Sequence, residues 1–490
     1  MTPATAPPRD RGDGWIFAGL LVLLFWMPLP WGSNPDWASA LLSTSALLLL
    51  ACWLLLTAFG AIRPGFALSR IGGPLVWWAL WIAWIGLSLV PMDPARLAAW
   101  SPEAAALYAR AATLIDDIVP RLSIMPGATA NALLLTAGFA ALYLLVMLTC
   151  IQRPDRVRSV LFVIVIAGFA QALYGSIMVL SGLEYGFFRE KHFYLGVATG
   201  TFVNRNHLAG YLQLAGAAAL ALILADLGTG PAARTWRQRA LALIALLFSP
   251  KMRVRLMLVV MAVALVMTRS RGGNAAFFGA LVLCGMGFIL LRHRQLAFRA
   301  FVLFSSIIII DLLIVSQWYG LERLVHRIET TDLETEGRSR FLDEVPPVIQ
   351  AYRNTGAGLG SFAEAYAPYR SVEMRQYFDH AHNDYIEFLI ETGVPGLALL
   401  AAFVLLHVLH ALRILRVRRN RLAGAAAFAA LMAITALAIH SVTDFNLQIP
   451  ANAATLLVLM ALAASASSRT RARSADRSRS TVDDAPEEMA

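Results

Sequence analysis

Long apolar runs alternate with short charged connectors along almost the entire chain. Most runs are long enough to cross roughly 30 Å of hydrocarbon as a helix of about 20 residues. The pattern predicts twelve spans, at 15–33, 38–61, 72–91, 130–150, 159–182, 206–227, 254–268, 275–291, 299–318, 394–412, 424–442 and 452–467. The seventh and twelfth are the shortest. Two connectors, 92–129 and 319–393, break the rhythm. Connectors longer than about 15 residues are usually functional or disordered, and the second is rich in Gly, Tyr and charge. The expected fold class is therefore all-α, a polytopic membrane helical bundle with a large, mostly helical external loop. Its expected parts are an N-terminal bundle (1–318), the large loop carrying the catalytic residues (319–393), C-terminal spans (394–467) and a cytoplasmic tail (468–490) whose Ser/Arg-rich, then acidic, composition reads as disordered.

Composition strengthens this picture. Of 490 residues, 58% are hydrophobic and 15% charged, against about 25% charged in soluble domains. The net charge of +10 invites a nucleic-acid reading, but its distribution argues otherwise. Lys and Arg gather in every second connector, as in "QRPDRVRS", "RHRQLAFR" and "RILRVRRNRLAG", in the 228–253 loop and in the tail. That asymmetry marks cytoplasmic segments. Both termini are expected inside, odd-numbered spans run outwards, and no nucleic-acid partner is implied. Cys52, Cys150 and Cys284 all fall in apolar runs, so no disulfide framework is read from them. The first apolar run flows into further spans, and no cleavable signal peptide is expected.

Four polar clusters fall at the expected external ends of spans: "TGTFVNRNHLAGYL" (199–212), "TRSRGGN" (268–274), "HAHNDYIEF" (380–388) and "HSVTDFNLQIPANA" (440–453). Polar residues near a bilayer are costly, so such clusters are functional candidates. Even-numbered spans enter from outside, which puts their helix N-termini, with unpaired N–H groups and the positive dipole end, at that surface. Asn206 and Asn274 are the expected N-caps of spans six and eight. Gly272 and Gly273 would let backbone approach a ligand closely. Arg205, Arg269 and Arg271 supply fork-shaped donors for phosphate oxygens. An arginine at a span end also snorkels to lipid headgroups. Three of them beside helix starts on one side favour an anion site.

The stretch "FDHAHNDYIEFLIETGVPG" (378–396) gathers the rest of the chemistry. Asp384 with Glu387 resembles a capping box, opening a short helix that Gly393 ends, with Pro395 suited to the first turn of span ten. His382 lies just before that helix. A neutral imidazole there could take a proton from a sugar hydroxyl, or simply hydrogen-bond loop backbone. A metal set of His380, His382 and Asp384 on an extended strand is a rival, but a helix beginning near Asp384 breaks its alternation. Glu387 and Glu391, four residues apart, are expected to line a polar surface or orient an acceptor. Tyr366, Tyr369, Tyr377, Tyr385, Phe362 and Phe378 supply aromatic faces for sugar rings or for the loop's own packing. His440 and Asp444 either support the site or tie spans eleven and twelve together.

At these residues the chain resembles the O-antigen ligase and O-antigen polymerase superfamily of bacterial envelope glycosyltransferases. The likeness covers most of the chain in architecture and is sharpest over 199–216 and 338–453. "TFVNRNHLAGYL" and "HAHNDYIEFLIETGVPG" carry it most strongly, while "GRSRFLDEVPPVIQAYRNTGAGLGSFAEAYAPYR" (337–370) and "DFNLQIPANA" (444–453) are similar to the branch that includes exopolysaccharide polymerases. His382 with ten residues before Gly393 fits the ligases' H-x10-G, and Arg205 with ten before Gly216 fits the polymerases' R-x10-G once. A second R-x10-G is missing from the large loop, so the motifs point both ways.

The resemblance implies an enzyme of the bacterial inner membrane. Its donor would be a glycan on undecaprenyl diphosphate, its acceptor another glycan or lipid A core, and its surroundings membrane lipid. The diphosphate would sit against Arg205 and Arg271, with Arg269 and Lys191 beside them, and His382 would deprotonate the acceptor hydroxyl. Asn204, Asn206, His207, His380, Asn383, Tyr385 and Glu387 complete the expected substrate-binding set. Neither metal nor cofactor is implied. The alternative is a transporter or flippase for polyprenyl-linked glycans. A carrier that alternates between sides should show polar or broken helices at mid-membrane, often in repeated halves, whereas here the ionisable residues gather at one face and the spans read as plain.

Overall fold

The computed structural model describes residues 11–227, 250–291, 297–307, 309, 332–371, 378–417 and 420–465, apart from Gly65, Ala67 and Ile115. The expected tail, most of the 228–253 connector, the far end of span nine, the start of the large loop and Tyr377 lie outside the described residues.

Among the described residues, every expected span coincides with a helix. The chain runs through α1 (Arg11–Trp26), α2 (Asp36–Ala58), α3 (Gly72–Leu87), α4 (Pro94–Trp100), α5 (Pro102–Ala111), α6 (Pro126–Cys150), α7 (Pro154–Ser181), α8 (Arg205–Ala225), α9 (Pro250–Met267), α10 (Arg271–Leu290), α11 (Ala297–Ile307), α12 (Asp332–Tyr352), α13 (Phe362–Tyr366), α14 (Asp384–Val417), α15 (Arg421–His440) and α16 (Pro450–Ser465). Among the described residues, eight helices are long and apolar enough to cross a membrane, and α1, α11 and α16 are shorter apolar helices. The protein is an all-α polytopic membrane protein.

α8 is the axis of the bundle. It is buried along its whole apolar length and packs against α7, α9, α10 and α15. Its sequence explains this, because Ala and Gly dominate one apolar run after another. In lipid, where neighbouring tails are as apolar as Leu, small residues let helix backbones approach and gain van der Waals contact. The fit is close: a Cβ on Gly168 of α7 would lie 2.3 Å from Ala215 Cβ.

The spans are less plain than their composition reads. Tyr143 of α6 and His407 of α14 share a hydrogen bond of 2.8 Å, walled by Trp78 and Phe403. Pairing satisfies both polar groups inside the bundle, where an unpartnered one would be costly.

The two long connectors meet. Leu97, Tyr108 and Ile124 from the first pack with Phe341, Val348, Tyr352, Phe362, Tyr366 and Phe378 from the second, forming a separate small core. The large loop is therefore one half of a composite cap. Phe362, Tyr366 and Phe378 are buried in that packing, and Tyr366 Oη donates to Glu344 Oε2 at 2.6 Å, so these three rings serve the cap's own core.

The cap is clamped to the bundle at Gly393. This residue has φ +67° and breaks α14 into a short first segment and a long span, with Pro395 opening the second as the pattern predicts. A Cβ here would lie 2.9 Å from Gly356 N and 3.0 Å from Arg353 O. Glycine alone meets both demands. Val394 N donates to Arg353 O at 2.7 Å, and Ala357 and Gly358 donate to the carbonyls of Ile390 and Glu391.

Candidate active site

Three helix starts at the cap end of the bundle use polar caps, each earlier in the chain than the apolar periodicity suggests. Asn204, rather than Asn206, caps α8 by accepting from Asn206 N at 2.8 Å. Ser270, rather than Asn274, caps α10 by accepting from Gly273 N at 3.1 Å. The Asn274 amide instead donates back to Ser270 O. Asn383, rather than Asp384, caps α14 through Ile386 N. The cause is common to all three: the helices continue past the apolar run into the polar layer, so the first helical turn is itself polar.

Released from capping, Asp384 turns its carboxylate to Ser441 Oγ at 2.6 Å and to Leu447 N. Glu387 curls back to accept from Ala381 N at 2.9 Å and to pair with His380 Nδ1 at 2.6 Å. Glu391 accepts from Gly360 N and Phe362 N. Both glutamates are buried, so the expected polar surface is a set of internal ties that fix the loop. The rival metal reading loses its shared centre. His380 is held by Glu387, Asp384 by Ser441, and His382 faces another carboxylate.

The turn from His440 to Asn452 gathers the four sequence clusters at one place. Asn383 Nδ2 donates to Val442 O, and Tyr385 Oη to Ala438 O. Asn452 Nδ2 donates to His207 O. Gln213 Nε2 donates to Gly273 O at 2.7 Å and lies 3.2 Å from His440 Nδ1. Contact is so close that a Cβ on Gly272 would fall 2.5 Å from Thr443 Oγ1. Gln213, Asn446 and Asn452 escape a sequence reading that looks for charge. The available signal was a glutamine alone in the apolar run of span six.

At the centre lies Asp444, its side chain 1% exposed. His207 Nε2 and His382 Nδ1 both face its Oδ1 at 3.8 Å, and Phe445 N donates to the same oxygen at 2.9 Å. Asp444 Oδ2, His382 Nδ1 and His207 Nε2 are all buried without a hydrogen-bond partner among the described residues. Burial pushes the Asp444 acidity towards the neutral form, yet the imidazoles of His382, His207 and His440 with the Phe445 N–H outweigh it and hold the carboxyl well below the usual range. The Phe445 ring stacks on His380 at 4.2 Å and receives the edges of His207 and His382 at 4.7 and 5.0 Å.

His382 itself adopts φ +49°, an uncommon region for a side chain to accept and one that clusters at functional sites. Its ring keeps 24% exposure. A carboxylate behind Nδ1 and a partly exposed ring are what general-base chemistry needs, and such contacts often tighten only with substrate.

Arg205 and Arg271 are the first residues of α8 and α10. Arg271 and Arg269 are exposed, and Arg269 has φ +53°. The Arg205 guanidinium lies over the Tyr194 ring at 5.4 Å. Lys191 Nζ pairs with Glu184 at 2.5 Å and donates to Val197 O.

His380 yields a pH prediction. Burial disfavours its charged form, but the hydrogen bond and charge of Glu387, with Asp379 and Asp444 behind, overcome this and raise its pKa above 6.5. A raised imidazole pKa stabilises the folded state fully below the unfolded value and loses that contribution as pH rises through the folded value. Thermal midpoints of the wild type are expected to fall between pH 6 and pH 8, and the His380→Gln variant to lose part of that slope.

The fold and site together define a polytopic membrane protein with a capped polar site, rich in histidine and arginine, at one end of its bundle. Residues 256–401 match the family described as O-antigen ligase. That domain match supports the O-antigen ligase and polymerase superfamily and, at a coarse level, an enzyme of this general type. The match contains Arg269, Arg271, His380, His382, Asn383, Tyr385 and Glu387, and stops short of Arg205 and Asp444. No curated protein matches the chain.

Proposed function

We propose that this protein transfers a glycan from an undecaprenyl-diphosphate donor to a sugar hydroxyl, on the periplasmic side of the bacterial inner membrane, in the making of lipopolysaccharide O-antigen or exopolysaccharide. The observation that carries the reading is His382, partly exposed and backed by the buried Asp444, near the helix starts at which α8 and α10 carry arginines. His382 takes the proton of the acceptor hydroxyl, which attacks the anomeric carbon. The bond from that carbon to the carrier diphosphate breaks, and the leaving diphosphate keeps the electron pair. Arg271 and Arg205, with the dipoles of their helices, stabilise the charge that develops there. The Asp444 carboxylate, 3.8 Å from His382 Nδ1, faces the ring from its buried side. Neither metal nor cofactor has a step in this scheme.

The test is the glycan profile of cells lacking the gene. Polymer retained on the lipid carrier with loss of surface-attached polymer identifies a ligase. Single repeat units in place of polymer identify a polymerase. An unchanged profile overturns the proposal.

A further inference from the structure

At the end of the bundle opposite the histidine site, α7, α8 and α9 enclose an open cleft of ≈ 290 Å³. Its floor is apolar, made by Phe162, Leu222, Ile223 and Val254, and its rim carries Arg158, Arg253 and Arg255 with a single carboxylate, Asp226. α8 has 21 residues, which at 1.5 Å per residue puts this cleft roughly 30 Å from Arg205. It belongs to no part of the transfer chemistry.

Charge in the cleft is unbalanced. Arg158 grips Asp226 with both nitrogens, at 2.9 and 3.3 Å. Arg253 and Arg255 enter no ion pair among the described residues. Arg156, at the same end, by contrast pairs with Asp13 at 2.7 Å. Two guanidiniums with no ion pair among the described residues, above an apolar floor between membrane helices, suit an anion with apolar chains attached. Phosphate diesters suit the guanidinium fork, and basic pockets of this build at the cytoplasmic side bind acidic headgroups.

We propose that this cleft binds an anionic phospholipid, its phosphate held by Arg253 and Arg255 and its acyl chains lying along Phe162 and Leu222. The site does not depend on the reaction proposed above. The lipid braces the ends of α7, α8 and α9 and so supports the axis of the bundle from the far side.

The experiment uses the full chain in phosphatidylcholine nanodiscs, with phosphatidylglycerol as the probe. Native mass spectrometry should find phosphatidylglycerol retained by the wild type, and retention roughly tenfold lower in the Arg253→Gln/Arg255→Gln variant, as expected when charge-assisted contacts are lost. Phosphatidylglycerol should also raise the thermal midpoint of the wild type, while inorganic phosphate should not. Equal retention of phosphatidylcholine, undiminished retention by a folded double variant, or an equal rise with inorganic phosphate overturns the proposal. Should the variant not fold, the wild-type comparison of the two lipids and phosphate decides alone.

Discussion

His382→Ala is expected to lose glycan transfer by about 10²- to 10⁴-fold, the usual contribution of a positioned general base. The loss should appear with the protein still folded and inserted. His382 sits in a loop, its Nδ1 makes no hydrogen bond, and its ring meets Phe445 and Phe378 only at their edges, without stacking. Its loss therefore removes edge contacts and no stacked ring or hydrogen bond of Nδ1. The contrast with His380 is informative, because that ring is stacked on Phe445 and paired with Glu387. A change there should move stability more than His382→Ala does. The check is surface glycan in a deletion strain carrying each variant, with membrane levels of protein measured in parallel. Normal glycan from a well-expressed His382→Ala protein would end the base assignment and leave His382 as a backbone-bonding loop residue.

The second large effect is expected at Arg271. Removing one preorganised charge-stabilising donor from an active site costs roughly 10²- to 10³-fold in rate, and Arg271→Ala should fall in that range. Arg271 is exposed at the first position of α10, beside the cap residue Ser270, so the helix itself should survive the change. Arg271→Lys tests the mechanism further. It keeps the charge but loses the two-pronged donor, and should recover only part of the activity. A transfer assay on lipid-linked donor in membranes is the measurement. Full activity of Arg271→Ala would place the diphosphate elsewhere and leave this arginine to lipid headgroups.

Much of the architecture was legible in the chain. Twelve apolar runs became twelve helices because burying a backbone in hydrocarbon leaves helix as the only open-chain solution. The break at Gly393 followed by Pro395 was equally readable, since glycine opens backbone conformations closed to other residues and proline fixes its own φ. Four polar clusters at span ends stood out against an apolar background, and all four are drawn together around the turn that holds Asp444.

What escaped was whatever depends on partners distant in sequence. The caps shifted to Asn204, Ser270 and Asn383 because where a helix begins in the polar layer is set by tertiary packing, which the apolar period does not report. Asp384 looked like a cap and is instead a tie to Ser441, 57 residues on. The pairing of Lys191 with Glu184 was likewise not foreseen. By itself, then, the sequence determined the helices, their number and the polar clusters between them, because these follow from local hydrophobicity and backbone restriction. Only the tertiary structure decided which charges face one another. Close packing of small-residue helices set His207 and His382 about Asp444 and joined two separate connectors into one cap, and no local signal encodes such distances.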